Sequence, residues 1–484
     1  MMAAMLFFAV VRQQQPAIPV TADTAGGRPC KIVIDSVGRQ AQQVEVRPGE
    51  TNVFAGGGVL AHCEGTGSTL AADTVAWFAG VRRFDMIGQR NVVHIRDTVM
   101  TLDATTASYF LGQERLEAHK NVVAVNRSTG SVLRGPNLMY YRAAKGVRDT
   151  LEMYASSRPT IDYRATADSA EPYVIVADRV RFKGNDRMWG GGRVTIDRSD
   201  VAARGDSMHL DQAVGFAVLV GGPPHVEGKG PQAYTLTGTR IELGLRGHDI
   251  QRVKALGNGV ATDADWRMTA DTIHLHLDKK LLQRAFAWGP KDSVRAHAVS
   301  TLTAIRADSL ALDLPDQVLT EARAFGHALS TMKRDSTAKK HSAARKDSVA
   351  RKDPVAKQDS VATDVDWIAG DSLIARWIQV ADSGGVKKTK LRRIIARGSA
   401  REFTHLYGEH DTTGPSLNYS RGKVIDILLG GDKVENVVVT GGADGIQLEP
   451  KPPAPDTTKQ TRTPPDTTKK KRTPADTPQK KPRP

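Results

Sequence analysis

The chain has 484 residues, 40% of them apolar and 25% charged, with a formal net charge of +15. That apolar share can bury a substantial core over two or three domains, which excludes disorder along the whole length. The charge is concentrated: residues 331–363 carry nine Lys/Arg against four Asp and residues 449–484 carry ten against four acidic residues, so +5 and +6 of the total sit in two segments. The remaining body is close to balanced, and no recognition motif with interleaved aromatics accompanies the charge, so nucleic acid is not an expected partner.

In chain order, the apolar run from Met1 to Val11 has the length of a signal-peptide core and is too short for a membrane span. Residues 1–22 are read as a signal peptide, truncated or misassigned at its start because no basic residue precedes the run, with Val20-Thr21-Ala22 as a small-residue cleavage site. A buried N-terminal strand is the alternative. The two cysteines, Cys30 and Cys63, are too few for a four-ligand zinc site. In an exported chain they are a disulfide candidate, and inert core thiols otherwise.

A short pattern then recurs: a small residue, Asp, a variable residue, then alternating apolar positions. It appears at Ala72-Asp73, Ala177-Asp178, Gly205-Asp206, Ala270-Asp271, Ala307-Asp308 and Gly370-Asp371. Alternation of this kind predicts half-buried strands, because side chains two apart share one face of the pleat. Between these units Gly or Asn stands ahead of valine, at Asn91-Val92, Asn121-Val122, Gly192-Arg193-Val194 and Gly257-Asn258-Gly259-Val260. These are predicted to be turns between strands, since Gly and Asn tolerate positive φ. The repeat is irregular with a period of about thirty residues. Helical periodicity is scarce, limited to a few stretches such as Asp149 to Ser157 that are read as helical turns. Roughly twenty-five to thirty-five short strands are expected between Lys31 and Ser330, and the fold class is all-β.

Residues 331–363 read as a low-complexity basic linker whose six-residue repeat cannot bury enough apolar area to offset its ordering entropy. Strand patterns resume over 364–448, and 449–484 is a Pro/Lys/Thr-rich tail expected to be extended and solvated.

No catalytic constellation stands out: there is no Gly-x-Ser-x-Gly elbow and no His-Glu-x-x-His, and the stretch from Gly221 to Lys229 has the wrong spacing for a phosphate loop. His274 and His276 share a strand face without an identifiable third ligand, so they read as outer-face residues and no metal is assigned. The repeated aspartates lack the dense glycine pattern of calcium β-rolls. A strand-start role is expected instead, each Asp bonding to backbone amides two residues on. What remains is apolar: Val75, Trp77, Val180, Phe182, Met208, Leu210, Ile273, Leu275, Leu310 and Leu312 would all point one way if the units stack in register. They would form a stripe inside two facing sheets, lining either an open channel or a closed core.

Strand units such as Ala270-Asp271-Thr272-Ile273 after Leu256-Gly257-Asn258-Gly259-Val260 resemble the OstA-like (LptA-type) family of periplasmic lipopolysaccharide-transport proteins, over residues 50–330 and 366–447. The resemblance implies an elongated twisted β-jellyroll, an open β-sandwich over residues 30–330 with a second such segment over 364–448. It implies no catalysis and no cofactor. By the same implication, the stripe lines a groove for lipopolysaccharide or a similar lipid, the terminal strands pair end to end with other jellyroll proteins, and the protein works in the periplasm towards the outer membrane. The chain is about twice the size of a single jellyroll and lacks the aromatic-girdled strands of an outer-membrane barrel. Two other readings stand beside it: a structural or adhesive β-solenoid with a closed core, and a carbohydrate-active enzyme, which needs clustered carboxylates in a cleft.

Overall fold

The computed structural model describes residues 18–20, 30–65, 67–144, 146–167, 171–230, 233–289, 295–333, 365–381, 387–406, 415–430 and 433–449. Its 33 strands form one antiparallel pairing network, with three short 3-10 turns and no α-helix among the described residues. The stretch expected to hold helical turns contains the strand Glu152–Ser156, because Met153 and Ala155 turn inward as alternate residues do.

The strand Arg187–Asp197 shows how the network folds on itself. One edge pairs throughout with Val201–Asp211, while along the other edge the first half pairs with Arg179–Lys183 and the second half with Tyr173–Val176. Between the halves Gly192 and Arg193 have φ of 79° and 45°, and the register jumps from Gly191 to Val194. Two residues thus stand opposite one, a bulge that bends the strand sharply. The same pair of left-handed residues bends Glu50–Glu64 at Gly57-Gly58, Arg115–Asn126 at Lys120-Asn121, Asp249–Thr262 at Gly257-Asn258, Glu321–Lys333 at Gly326-His327 and Lys387–Leu406 at Gly398-Ser399. Each long strand therefore lends its two halves to two facing layers, here called front and back, hinged along one line of corners.

These corners correct the turns expected from the sequence. Only Asn91-Val92 connects two strands; at Asn121, Gly192 and Gly257 one strand bends on from one layer into the other. The recurring aspartates belong to the same line. Asp73, Asp206, Asp271 and Asp371 are the single residues that face a two-residue bulge. The carboxylate of Asp73 reaches sideways rather than two residues on: it accepts the backbone N–H of Gln89, Arg90 and Asn91 at 2.6, 2.5 and 2.9 Å, which holds its carboxyl well below the usual range. Asp178 and Asp308 pack over Gly192 and Gly326.

Gly326 is required twice over. Its φ is +75°, and a Cβ would lie 2.1 Å from Asp308 Oδ2 and 2.7 Å from Asp308 Cγ. Gly326→Ala should cost about 2–3 kcal/mol, whereas Gly49→Ala, at φ +79° with open space around it, should cost about 1 kcal/mol. Chemical denaturation of both variants measures the difference; equal losses would mean that the carboxylate simply moves aside.

The repeat is longer than the sequence pattern suggested. Pairs of long strands begin at residues 50, 115, 187, 249 and 321, so the unit spans 62 to 72 residues: two long strands, then four short ones. After Glu321 four long strands follow in succession. Glu321–Lys333 pairs directly with Val365–Ala381, so one sheet runs through both sides of the expected linker; its residues 331–333 are strand, and 334–363 lie outside the described residues. The expected signal segment and tail lie outside them too, apart from Ile18–Val20, a short strand paired with Ile32–Ile34, and Glu449. Buried apolar side chains of both layers merge into one continuous core.

Candidate functional site

The ten stripe residues all lie on the front layer. Nine are 5% exposed or less, and Phe182 is half-buried against the core. They make one wall only. The facing wall consists of back-layer residues such as Leu102, Ile161, Ile175, Val226, Leu236 and Ile305. Strands of four residues carry several of these, as in Thr160–Tyr163 and Tyr234–Thr237, too short for alternation to stand out. The Ile161/Tyr163 and Tyr234/Leu236 pairs were the available signal.

Between the walls the packing is tight. One cavity of about 60 Å³ lies among Cys30, Ile32 and Leu70 of the back layer and Phe84, Met86 and Leu116 of the front layer; another of about 50 Å³ lies beside Leu133, Met153 and Ile161. Each has room for a water or two. Cys30 and Cys63 beside the first cavity are disulfide-bonded, with Cα atoms 5.2 Å apart.

Opposite the corners, the two layers are joined, among the described residues, by side chains alone. Arg142 of the front layer reaches Asp97 at 3.1 Å and Ser68 Oγ at 2.9 Å across the gap. Asn126 Nδ2 donates to Asn185 Oδ1 at 3.3 Å, and Tyr163 Oη to Gln212 Oε1 at 3.3 Å. The densest bridge surrounds Arg198, whose side chain is only 2% exposed. From a back-layer turn it bonds Asp200, donates to the front-layer carbonyl of His248 at 3.2 Å, meets Asp249 at 3.3 Å and lies 4.3 Å from the centre of the Tyr173 ring. Lys280 approaches Asp200 at 3.9 Å, and Trp266 and Trp377 meet edge to face at 5.7 Å. Nothing local in the sequence links these partners, which stand up to 111 positions apart, as Trp266 and Trp377 do.

His274 and His276 point away from the core on the front layer, their rings 4.3 Å apart. No group of three or more His, Cys, Asp or Glu suited to a metal occurs among the described residues. Burial, then His276 and the charges of Arg252 and Lys254, lower His274 to about 4. A histidine depressed in the folded state stays neutral while the unfolded chain takes up a proton, so stability falls as pH drops below the unfolded value of 6.5 and continues to fall until about 4. His274→Gln should flatten that part of the stability curve, as measured by urea midpoints between pH 4 and 7; an unchanged slope would contradict it.

Among the described residues, the ends of the sheet are open. Gln40–Arg47 is almost wholly exposed, and Asp444–Leu448 is exposed throughout, with Ile446 and Leu448 at 63% and 59%.

No family model matches the chain, and no curated protein does. Among solved structures it is similar to the crystal structure of LptH, the LptA-homologous periplasmic component of the lipopolysaccharide transport device of Pseudomonas aeruginosa. Identity is 15% and the TM-score 0.24, covering 27% of this chain and 96% of that one.

Proposed function

We propose that this chain is a non-catalytic lipid carrier of the periplasm, a bridge that moves lipopolysaccharide or a similar lipid towards the outer membrane along its interlayer interior. The observation that carries this reading is the asymmetry of the interior's two sides. An apolar core runs the length of the layers, closed along the corners by continuous backbone and, among the described residues, along the mouth by side-chain contacts alone. Backbone corners cannot part without breaking strands, whereas a row of polar bridges can open and reclose. Acyl chains would be admitted there, exchange the core's own contacts for theirs, and shift between similar sites with little net change in buried apolar area. Direction would come from an energy source elsewhere. The exposed terminal strands offer free amides and carbonyls for end-to-end pairing with other jellyroll proteins.

The small cavities favour a second reading, a structural solenoid whose core stays closed. The two separate by lipid content. Protein purified without detergent should carry lipid detectable by mass spectrometry, and added lipopolysaccharide should displace an apolar fluorescent probe from it. Lipid-free protein in which no probe is displaced would sink the carrier and leave the solenoid.

A further inference from the structure

At the C-terminal end the interior changes character. On the back layer, Glu402 stands opposite Ser420 and Thr404 opposite Asn418, all on the inner face, and Ile368 pairs with both Ser330 and Glu402. Glu402, Thr404 and Ser330 are at most 1% exposed. The outer face of the same strands is correspondingly aromatic, with Trp367 against Phe403 and Tyr419. The polarity of the wall is therefore inverted relative to the rest of the layer. The front layer opposite stays apolar, with Leu373, Ala396, Ile425 and Ile427.

Asn418 Nδ2 donates to Glu402 Oε1 at 2.5 Å and to Ser420 Oγ at 3.2 Å. Glu402 Oε2, Thr404 Oγ1 and Ser330 Oγ have no hydrogen-bond partner within 3.5 Å, although the Thr404 and Ser420 hydroxyls lie near enough to the carboxyl to favour its charged form. Buried oxygens in that state are destabilising, and native interiors hold few of them. No basic side chain offsets the carboxyl: burial raises it above its ordinary value and Asp366 adds to the rise, although Thr404, Ser420 and Asn418 oppose both. In its protonated form, which burial favours, the carboxyl donates and accepts as the two hydroxyls do. Another hydroxyl group matches them without adding a buried charge, whereas an ammonium would bury an uncompensated cation.

We propose that Glu402, Thr404 and Ser330 form a subsite for the hydroxyl-bearing head of an amphiphile whose apolar part lies on the facing front-layer wall. The proposal rests on the carrier reading above and adds to it a place where the head is held. The full chain is titrated with dodecyl glucoside, dodecylammonium and the apolar probe N-phenylnaphthylamine, for the wild type and for Thr404→Val and Glu402→Leu, each variant first checked for an intact melting transition. Thr404→Val changes one hydroxyl to a methyl at constant shape, so it serves if Glu402→Leu does not fold. The expected result is a roughly tenfold loss of affinity for the glucoside in each variant, the worth of about one hydrogen bond with its partner left unpaired, with the probe's affinity unchanged. Equal losses for glucoside and probe, no loss at all (water alone satisfying these oxygens), or tighter binding of the ammonium than of the glucoside would each overturn the subsite while leaving the carrier intact. A wild-type chain that binds no apolar probe would overturn both.

Discussion

Arg198→Met should lower the unfolding free energy by about 3–5 kcal/mol, the usual cost of removing one partner from a buried ion pair. The guanidinium is 2% exposed and ties a back-layer turn to Asp249 and the carbonyl of His248 on the front layer. Methionine fills the space over Tyr173 but leaves Asp200 half-enclosed without its main partner. The loss should depend on pH. Burial pushes the Asp200 carboxyl up, while its bonds to Arg198 outweigh this and hold it below the ordinary value of 3.8. A carboxyl depressed in the folded state contributes stability above its unfolded pKa, and that contribution is lost as pH falls through the folded value. The gap between wild type and variant should therefore be full at pH 7 and shrink below pH 4, as read from urea denaturation at both. Faster uptake of an apolar probe by the variant is expected as well, since one bridge of the mouth is gone. A loss below about 1 kcal/mol, the value of an exposed pair, would mean that Arg198 does not hold the layers together.

Leu275→Asp should cost at least about 4 kcal/mol, because it places a carboxyl with no cation into a position 1% exposed among apolar side chains. One residue away, His274→Asp should change stability by less than about 1 kcal/mol, since position 274 faces outward beside Arg252 and Lys254. The pair of measurements reads the inside and outside of one strand directly. Comparable losses at both positions would contradict the assignment of faces.

The strands and their inner faces were legible because alternation is local: Ile273 and Leu275 declare a face within four residues. The corners were not. Gly257-Asn258 advertises positive φ, which serves equally for a chain that reverses and for one that bends on into a second layer. What decides is whether both flanking segments keep the same neighbour, here Arg267–Asp278, and that is a long-range fact. The period was halved for a related reason. Asp271 and Asp308 lie within one structural unit, the first opposite the bulge at Gly257-Asn258 and the second packed over Gly326 of the next unit, so one unit presents the motif twice. The mouth was illegible because Arg198 and Asp249 are fifty-one positions apart and meet only once both layers exist. The polar patch at Glu402 interrupts an otherwise apolar inner face, and a reading that looked for apolar alternation passed over it.

The most direct test of the interior as a lipid path is photo-crosslinking in cells, with the reactive side chain placed at Leu275 in one strain and at His274 in another. Capture of lipopolysaccharide or another lipid at 275 and not at 274 is the predicted result. Capture at neither position, in protein that remains folded, would contradict the account and leave a closed structural core.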